Sequence, residues 1–123
     1  MQLVEKHIIN KGHSFYTSLD DLCFKSKNLY NATLYAVRQH FFNTNKFISY
    51  YKLQPQFQND NNPDYRALPA NVSQQVMKLV NQNFKSFFEA LKSYQKNPEK
   101  FNAAPQLPNY LHKTKGRFVT VFT

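Results

Sequence analysis

The clearest helical pattern of this chain is Asn71-Val-Ser-Gln-Gln-Val-Met-Lys-Leu-Val-Asn-Gln-Asn-Phe-Lys-Ser-Phe-Phe-Glu-Ala-Leu-Lys-Ser-Tyr94. Its apolar side chains recur every three or four residues, which is the period of an amphipathic helix. They are Val72, Val76, Leu79, Val80, Phe84, Phe87, Phe88, Leu91 and Tyr94. Asn71 with Gln74 resembles a capping box at the start, and Asn97-Pro98 predicts the end. The stretch therefore predicts a long helix with one buried face.

A second long helix is predicted upstream of this stretch. Ser18 followed by Asp21 is typical of a helix N-cap, and Asn43-Thr44-Asn45 predicts the end of the helix. Between the two long helices, the segment from Phe47 to Pro55 predicts a short helix capped by Ser49, with an extended piece as the less favoured alternative. The polar segment 56–62 predicts a loop. The apolar positions of the upstream helix are Leu22, Cys23, Leu29, Tyr30, Thr33, Val37 and Phe41.

The ends of the chain carry strand patterns. Residues 3–9 mix β-branched and polar residues, and residues 118–123 alternate in period two after the turn at Lys115-Gly116. Prolines at 98, 105 and 108 predict an irregular, mostly extended segment over 97–112. A lone pair of strands is marginal in water, so we expect the chain to be the N-terminal part of something longer. The predicted class is mainly α (α+β): two long helices and a short one, flanked by terminal strands.

Composition excludes several classes of protein. The chain has 123 residues, which suits one domain. One cysteine, Cys23, cannot form an internal disulfide, and four scattered histidines do not suggest a zinc site. Cys23 lies within a predicted apolar face, where a core role is favoured over a nucleophilic one. No apolar run is long enough for a membrane span and no signal peptide is evident, so we expect a cytoplasmic protein without a membrane partner.

The charge indicates a polyanionic partner. Lys and Arg number 16 against 7 Asp and Glu, a net charge of +9. Such an excess favours nucleic acid through counterion release, although a solvated face of solubility charges is the ordinary alternative. The acidic residues are scattered and glycine-rich phosphate loops are absent from the sequence, so we expect no active site and no cofactor in this chain.

Several motifs follow one another along the chain: Ser26-Lys-Asn-Leu-Tyr-Asn31, Phe47-Ile-Ser-Tyr-Tyr51, Tyr65-Arg-Ala-Leu-Pro69, Val72-Ser-Gln-Gln-Val76, Asn83-Phe-Lys-Ser-Phe-Phe88, Phe101, Pro105, Pro108-Asn-Tyr110 and Gly116-Arg-Phe-Val-Thr-Val-Phe-Thr123. In this order they resemble the N-terminal part of TnpB, the OrfB-type protein of bacterial insertion sequences. Each motif alone is weak, but together they cover nearly the whole chain. TnpB is a transposon-encoded, RNA-guided DNA endonuclease related to compact type V CRISPR nucleases.

The resemblance implies an architecture and a set of partners. It implies a first wedge strand at 1–12, a helical recognition insertion at 13–112 and a second wedge strand at 113–123 of an incomplete barrel. It also implies that the remaining wedge strands, the RuvC-like nuclease domain and a zinc ribbon follow in a longer parent protein. The expected partners are guide RNA, double-stranded DNA and those remaining domains. The resemblance places the protein in the bacterial cytoplasm, associated with the nucleoid when bound to DNA.

The resemblance also implies a set of site residues. Residues that correspond to family positions reading a short target-adjacent DNA motif are Tyr50, Asn71, Gln74 and Thr123. For Gln74 the capping-box role is an almost equal alternative, and relatives carry a Lys near Ala70-Asn71 that this chain lacks. Charge alone nominates contacts to the nucleic-acid backbone at Lys25, Lys27, Arg38, Lys78, Lys113, Lys115 and Arg117.

Two other functions stay open from the sequence. One is a stand-alone DNA-binding regulator of the helix-turn-helix type, although that motif joins its helices by a turn of about 3–4 residues. The long polar segment between the two predicted helices does not match such a turn. The other is a protein-interaction module whose Tyr- and Gln-rich faces meet another chain.

Overall fold

A computed structural model describes residues 16–118 of the chain. In this range the chain forms four α-helices and one 3₁₀ turn, and no strand. They are α1 (Tyr16–Thr44), α2 (Tyr50–Asn59), α3 (Pro63–Arg66), α4 (Ala70–Lys96) and the 3₁₀ turn Pro98–Lys100. The prediction of a mainly helical chain with two long helices and a short one is confirmed.

The predicted terminal strands are not found in the described part of the chain. The first, at 1–12, lies outside the described residues, as do residues 119–123 of the second. Residues 113–118 form a turn and an irregular segment without strand pairing. The irregular segment predicted over 97–112 is confirmed apart from the 3₁₀ turn at its start.

The core lies where α1 and α4 pack along one another, with α2 and α3 closing one side. Burial of the helix faces follows the apolar stripes of the sequence, because apolar area removed from water stabilises the fold by about 25 cal/mol per Å². The buried apolar residues are Leu29, Tyr30, Leu34, Val37, Ile48, Tyr50, Leu53, Phe57, Tyr65, Leu68, Val72, Val76, Met77, Val80 and Phe84. Met77 was absent from the predicted stripe, whereas Phe87, Phe88 and Leu91 at the far end of α4 are half-buried.

Two predicted helix caps are wrong. Helix α4 begins at Ala70 with Pro69 as its N-cap, so Asn71 lies inside the first turn and the capping box with Gln74 does not form. Pro69 has an extended backbone (φ −54°, ψ 143°), which lets the chain enter the helix without a side-chain cap. Helix α1 already includes Ser18, because the preceding residues Tyr16 and Thr17 are themselves helical.

The short helix is confirmed, and it is longer than predicted. Ser49 is its N-cap residue, but α2 continues to Asn59 through the segment predicted as a loop. Phe57 explains the extension, since it is buried one turn after Leu53. Pro55 lies within α2 and cannot donate to the carbonyl of Tyr51. Tyr51 is 76% exposed, so water can satisfy that carbonyl.

Helix α3 is a single turn with a complete cap. The Asn62 side chain accepts hydrogen bonds from the N–H groups of Asp64 and Tyr65, at 3.0 and 3.1 Å. Pro63 occupies the first turn, where its missing N–H costs nothing. The sequence Asn62-Pro63-Asp64 is typical of a helix start, but no helix was predicted at this position. The turn buries Tyr65, whose carbonyl accepts a hydrogen bond from the Ser73 hydroxyl at 2.7 Å.

Residues 101–118, here called the strap, follow α4 and are bound to α1. Three polar side chains of α1 hold the strap backbone: Asn31 pairs with Leu111, Lys27 donates to the carbonyl of Lys113, and Arg38 donates to the carbonyl of Pro108. The strap also supplies an aromatic ring, since Phe118 stacks on Tyr30 with ring centroids 4.8 Å apart. These contacts fix an irregular segment to the helical core.

A compact turn closes the strap. The Nδ1 of His112 accepts hydrogen bonds from the N–H groups of Thr114 and Lys115, at 3.2 and 3.0 Å, and the N–H of Gly116 donates to the His112 carbonyl at 2.9 Å. A Cβ at Gly116 would collide with the His112 carbonyl oxygen, so the turn needs glycine for space. Arg117 then forms two hydrogen bonds to Asp20, which join the turn to the start of α1.

Candidate nucleic-acid interface

One polar face of α4 carries two of the predicted reading residues. Asn71, Gln74, Lys78 and Asn81 are spaced by three and four residues, so they follow one another along the same side of the helix. We call these four residues the recognition stripe. Asn71 and Lys78 are exposed, while Gln74 and Asn81 are half-buried. Amide groups and an ammonium group are therefore presented beside one another, bordered by the core on one edge.

The start of α2 abuts the recognition stripe at Tyr50. The backbone N–H of Tyr50 donates to Oδ1 of Asn81 at 2.9 Å, and the Nζ of Lys78 lies 5.5 Å from the centre of the Tyr50 ring. Ser49, the N-cap residue, makes no capping hydrogen bond with its own side chain. Asn81 therefore supplies the cap of α2 from another helix. This bond fixes the position of Tyr50 relative to Lys78.

Tyr50 keeps its proton in this position. Burial raises the pKa of the Tyr50 phenol above its ordinary value, and the neighbouring Tyr65 and Tyr51 raise it further. The neutral phenol is a hydrogen-bond donor at physiological pH. Tyr51 packs edge-on against Tyr50, with ring centroids 5.3 Å apart, and points outward with 76% of its surface exposed.

The chemistry of the recognition stripe suits the edges of bases and the phosphate backbone. A Gln or Asn amide presents a donor and an acceptor side by side, the arrangement that pairs with N6 and N7 of adenine in the major groove. An exposed lysine suits a phosphate oxygen, where a point charge is sufficient. Thr123, the fourth predicted reading residue, lies outside the described residues.

The cations predicted to contact the nucleic-acid backbone have different environments. Lys78, Lys113 and Lys115 are exposed. Lys25 forms an ion pair with Asp21 at 2.8 Å, one turn away on α1. The guanidinium of Arg117 binds Asp20 at 2.8 and 3.2 Å, and this contact lowers the pKa of the Asp20 carboxyl below its ordinary value. Ion pairs at the surface are weakened by water and salt, so phosphates can compete for these cations.

Lys27 differs from the other nominated cations because it is buried. Its side chain is 1% exposed, and its Nζ donates to Oδ1 of Asn28 at 2.6 Å and to the carbonyl of Lys113. The Nζ also lies 3.8 Å from the centre of the Phe24 ring. Burial lowers the pKa of the ammonium. In this arrangement Lys27 holds the strap to α1, and its buried ammonium is not accessible to a phosphate.

Sequence reasoning missed Asn81 as a residue of this interface. Asn81 is a half-buried position of α4 where asparagine is ordinary, and nothing local in the sequence indicates that it caps α2. Its partner Tyr50 is 31 residues away in the chain. The spacing of polar residues on α4 could have indicated Asn81, because it continues the three- and four-residue spacing that begins at Asn71.

Comparisons with known protein families, with curated proteins and with solved structures give no match. Over residues 16–118, side chains of the metal-ligating kinds nowhere gather in a group of three or more. Within the same range each helix is too short or too polar to cross a bilayer.

Proposed function

We propose that this chain binds nucleic acid as the N-terminal recognition region of a TnpB-like, transposon-encoded RNA-guided endonuclease. In this proposal it holds guide RNA and reads a short DNA motif beside the target. The observation that carries the proposal is the recognition stripe, in which Asn71, Gln74 and Lys78 lie on one face of α4. Tyr50 is held beside that face by Asn81. An amide-bearing helix face of this kind can read the edges of adenine bases in the major groove.

The distribution of charge supports the proposal. The sequence has no acidic residue between Asp64 and Glu89, so the first two-thirds of α4 carries only positive charge. Lys78 and Lys85 lie on or near the recognition stripe and are exposed. A helix face without carboxylates can approach phosphates without like-charge repulsion, and released counterions favour the complex.

The proposal gives this chain no catalytic step. Cleavage belongs to the RuvC-like domain that the resemblance implies in the parent protein, and the remaining wedge and nuclease domains are the proposed protein partners. DNA binding would take place in the bacterial cytoplasm, at the nucleoid. A helix-turn-helix regulator is less well supported, since α1 and α4 are separated by residues 45–69, which contain α2 and α3.

Binding across a salt series tests the electrostatic part of the proposal. The chain is titrated into fluorescently labelled random duplex DNA and into a structured RNA, and anisotropy is followed as NaCl is raised. We expect log K to fall linearly with log salt, with a slope of about −0.9 per phosphate neutralised on duplex DNA. Affinity that does not change with salt, or no binding at low salt, would contradict the proposal.

Paired substitutions test the reading part. Gln74→Ala is compared with Gln75→Ala, because the neighbouring glutamine is the same residue type turned about 100° around the helix. On a pool of duplexes with randomised sequence, we expect Gln74→Ala to weaken the preferred motif about tenfold and relax its selection. Gln75→Ala should select the same motif as the unaltered chain. Equal behaviour of the two variants would remove Gln74 from the reading residues.

A further inference from the structure

Three exposed aromatic residues and one half-buried arginine form a surface outside the recognition stripe. We call Tyr35, Arg38 and Phe42 of α1, together with Tyr110 of the strap, the aromatic platform. Tyr35, Phe42 and Tyr110 are 58%, 55% and 44% exposed, although most large apolar side chains of the described chain are covered. The spacing of Tyr35, Arg38 and Phe42 by three and four residues puts them on one side of α1.

Arg38 lies between two rings of the platform, Phe42 and Tyr110. Its guanidinium carbon lies 5.1 Å from the centre of the Tyr110 ring and 5.8 Å from the centre of the Phe42 ring. Both distances are within the range of cation–π attraction, which is about 6 Å. The guanidinium also donates to the carbonyl of Pro108 at 3.4 Å, a long hydrogen bond, and no carboxylate among residues 16–118 lies within 4.0 Å of it. Two exposed rings of the platform therefore lie beside a cation that lacks a counter-ion among those residues, and Tyr35 lies one turn before that cation on α1.

The surroundings of the platform favour an anionic ligand. The sequence has no acidic residue between Asp21 and Asp60, and none after Glu99. The second half of α1 and the whole strap, which carry the platform, therefore contribute only neutral or positive side chains. An apolar protein surface docked here would have to bury the guanidinium of Arg38 with its one long hydrogen bond, which is unfavourable. A nucleic acid would supply both flat rings and phosphates.

We propose that the aromatic platform binds unpaired bases of single-stranded nucleic acid by stacking. Bases stack on Tyr35, Phe42 and Tyr110, while Arg38 contacts the adjacent phosphate or stacks on a base. Duplex DNA does not use the platform, because its bases are already stacked and paired. The inference rests on the proposed function and deepens it, since it assigns the single-stranded part of the bound nucleic acid to α1 and the strap.

A tryptophan reporter tests the proposal directly. The chain has no Trp, so Phe42→Trp places the single indole of the protein on the platform. Leu19→Trp, at another exposed position of α1, is the matched control. Each variant is titrated at low salt with a short oligouridine, with an abasic oligomer of equal length and charge, and with a blunt duplex. Stacking of a base on indole quenches its fluorescence.

We expect oligouridine to quench Phe42→Trp strongly, and the abasic oligomer and the duplex to leave its emission nearly unchanged. Leu19→Trp should show little quenching with any of the three. Equal quenching of both variants, or equal quenching by oligouridine and the abasic oligomer, would overturn the proposal. So would a change of emission with protein concentration alone, because that would assign the platform to a second copy of the chain.

Affinity measurements give an independent readout. We expect Tyr35→Ala and Tyr110→Ala each to weaken oligouridine binding about tenfold, and Tyr110→Phe to retain it, because the ring is what stacks. Duplex affinity should not change in these variants. If Tyr35→Ala and Tyr110→Ala bind oligouridine as tightly as the unaltered chain, and the chain still binds duplex DNA, the platform proposal is overturned and the proposed function stands. If the unaltered chain binds no nucleic acid at all, both proposals are overturned.

Discussion

The side-chain amide of Asn31 pairs with the backbone of Leu111 through two hydrogen bonds. Its Nδ2 donates to the Leu111 carbonyl at 3.0 Å, and its Oδ1 accepts from the Leu111 N–H at 2.9 Å. The two residues are 80 positions apart in the sequence. One helical side chain thereby does for the strap what a neighbouring strand does in a sheet, satisfying both polar groups of one residue.

Asn31→Ala should therefore loosen the strap. The loss of two partly buried hydrogen bonds is expected to lower the free energy of unfolding by about 1–3 kcal/mol, measured by urea unfolding. Hydrogen exchange at the Leu111 amide should accelerate. Asn31→Asp keeps an acceptor for the N–H but faces the carbonyl with a carboxylate, so it should not restore stability at neutral pH. Gln39→Ala, an exposed change on the same helix, is the control and should change neither the free energy of unfolding nor the exchange of the Leu111 amide.

Asn81→Ala should destabilise α2, although Asn81 belongs to α4. Removing a cap of this kind is expected to cost about 0.5–2 kcal/mol of the free energy of unfolding. Ser49→Ala should have almost no effect, because the Ser49 side chain makes no capping hydrogen bond. Urea unfolding of both variants and hydrogen exchange at the Tyr50 amide are the measurements. A larger effect at Ser49 than at Asn81 would contradict the assignment of the cap.

Gly116→Ala should open the turn that closes the strap. The added Cβ would collide with the carbonyl oxygen of His112 and lie 2.7 Å from its nitrogen, and backbone atoms cannot rotate away as a side-chain tip can. We expect a loss of about 1–3 kcal/mol in the free energy of unfolding. Hydrogen exchange at the Phe118 amide, which donates to the carbonyl of Cys23, should also become faster. Lys115→Ala, an exposed change in the same turn, should leave both measurements unchanged.

Lys27 should make stability depend on alkaline pH. Burial holds the pKa of its ammonium below 10.5, the value that the unfolded chain restores. Between these two pKa values the unfolded chain binds more protons than the folded chain, so the free energy of unfolding rises as pH rises through that interval. Lys27→Met should lack this rise.

Urea unfolding of both proteins, at a series of pH values from neutral up to 10.5, measures the effect. The two proteins differ only at residue 27, so the difference between the two curves isolates Lys27. If the curves stay parallel, the ammonium does not lose solvation on folding.

The sequence allowed the long helices to be predicted because their stability comes from a repeated apolar face. Helix α4 ends at Lys96, where Asn97-Pro98 predicted it to end, and α1 ends at Thr44. Helix starts were less predictable, since a cap depends on which of several polar residues the chain geometry selects. Ser18 and Asn71 have suitable side chains, but both lie inside their helices.

The candidate interface could be predicted only in part. Asn71, Gln74 and Lys78 share a face because of helix periodicity alone, which a sequence displays. The burial of Lys27 depends on a carbonyl 86 positions away, and the cap of α2 depends on Asn81 from another helix. Lysine on a helix is exposed by default, so charge alone nominated Lys27 as a phosphate contact. Contacts of this kind exist only once the fold is formed.

The strap has a consequence for how its sequence can change. Asn31, Lys27 and Arg38 hold the strap through backbone atoms of Leu111, Lys113 and Pro108. At these three positions α1 contacts main-chain atoms of the strap, whereas Gly116, Arg117 and Phe118 contribute through their own residue types. The outward side chains of the strap are free to diversify while their positions stay fixed, so one scaffold can present different surfaces to different partners.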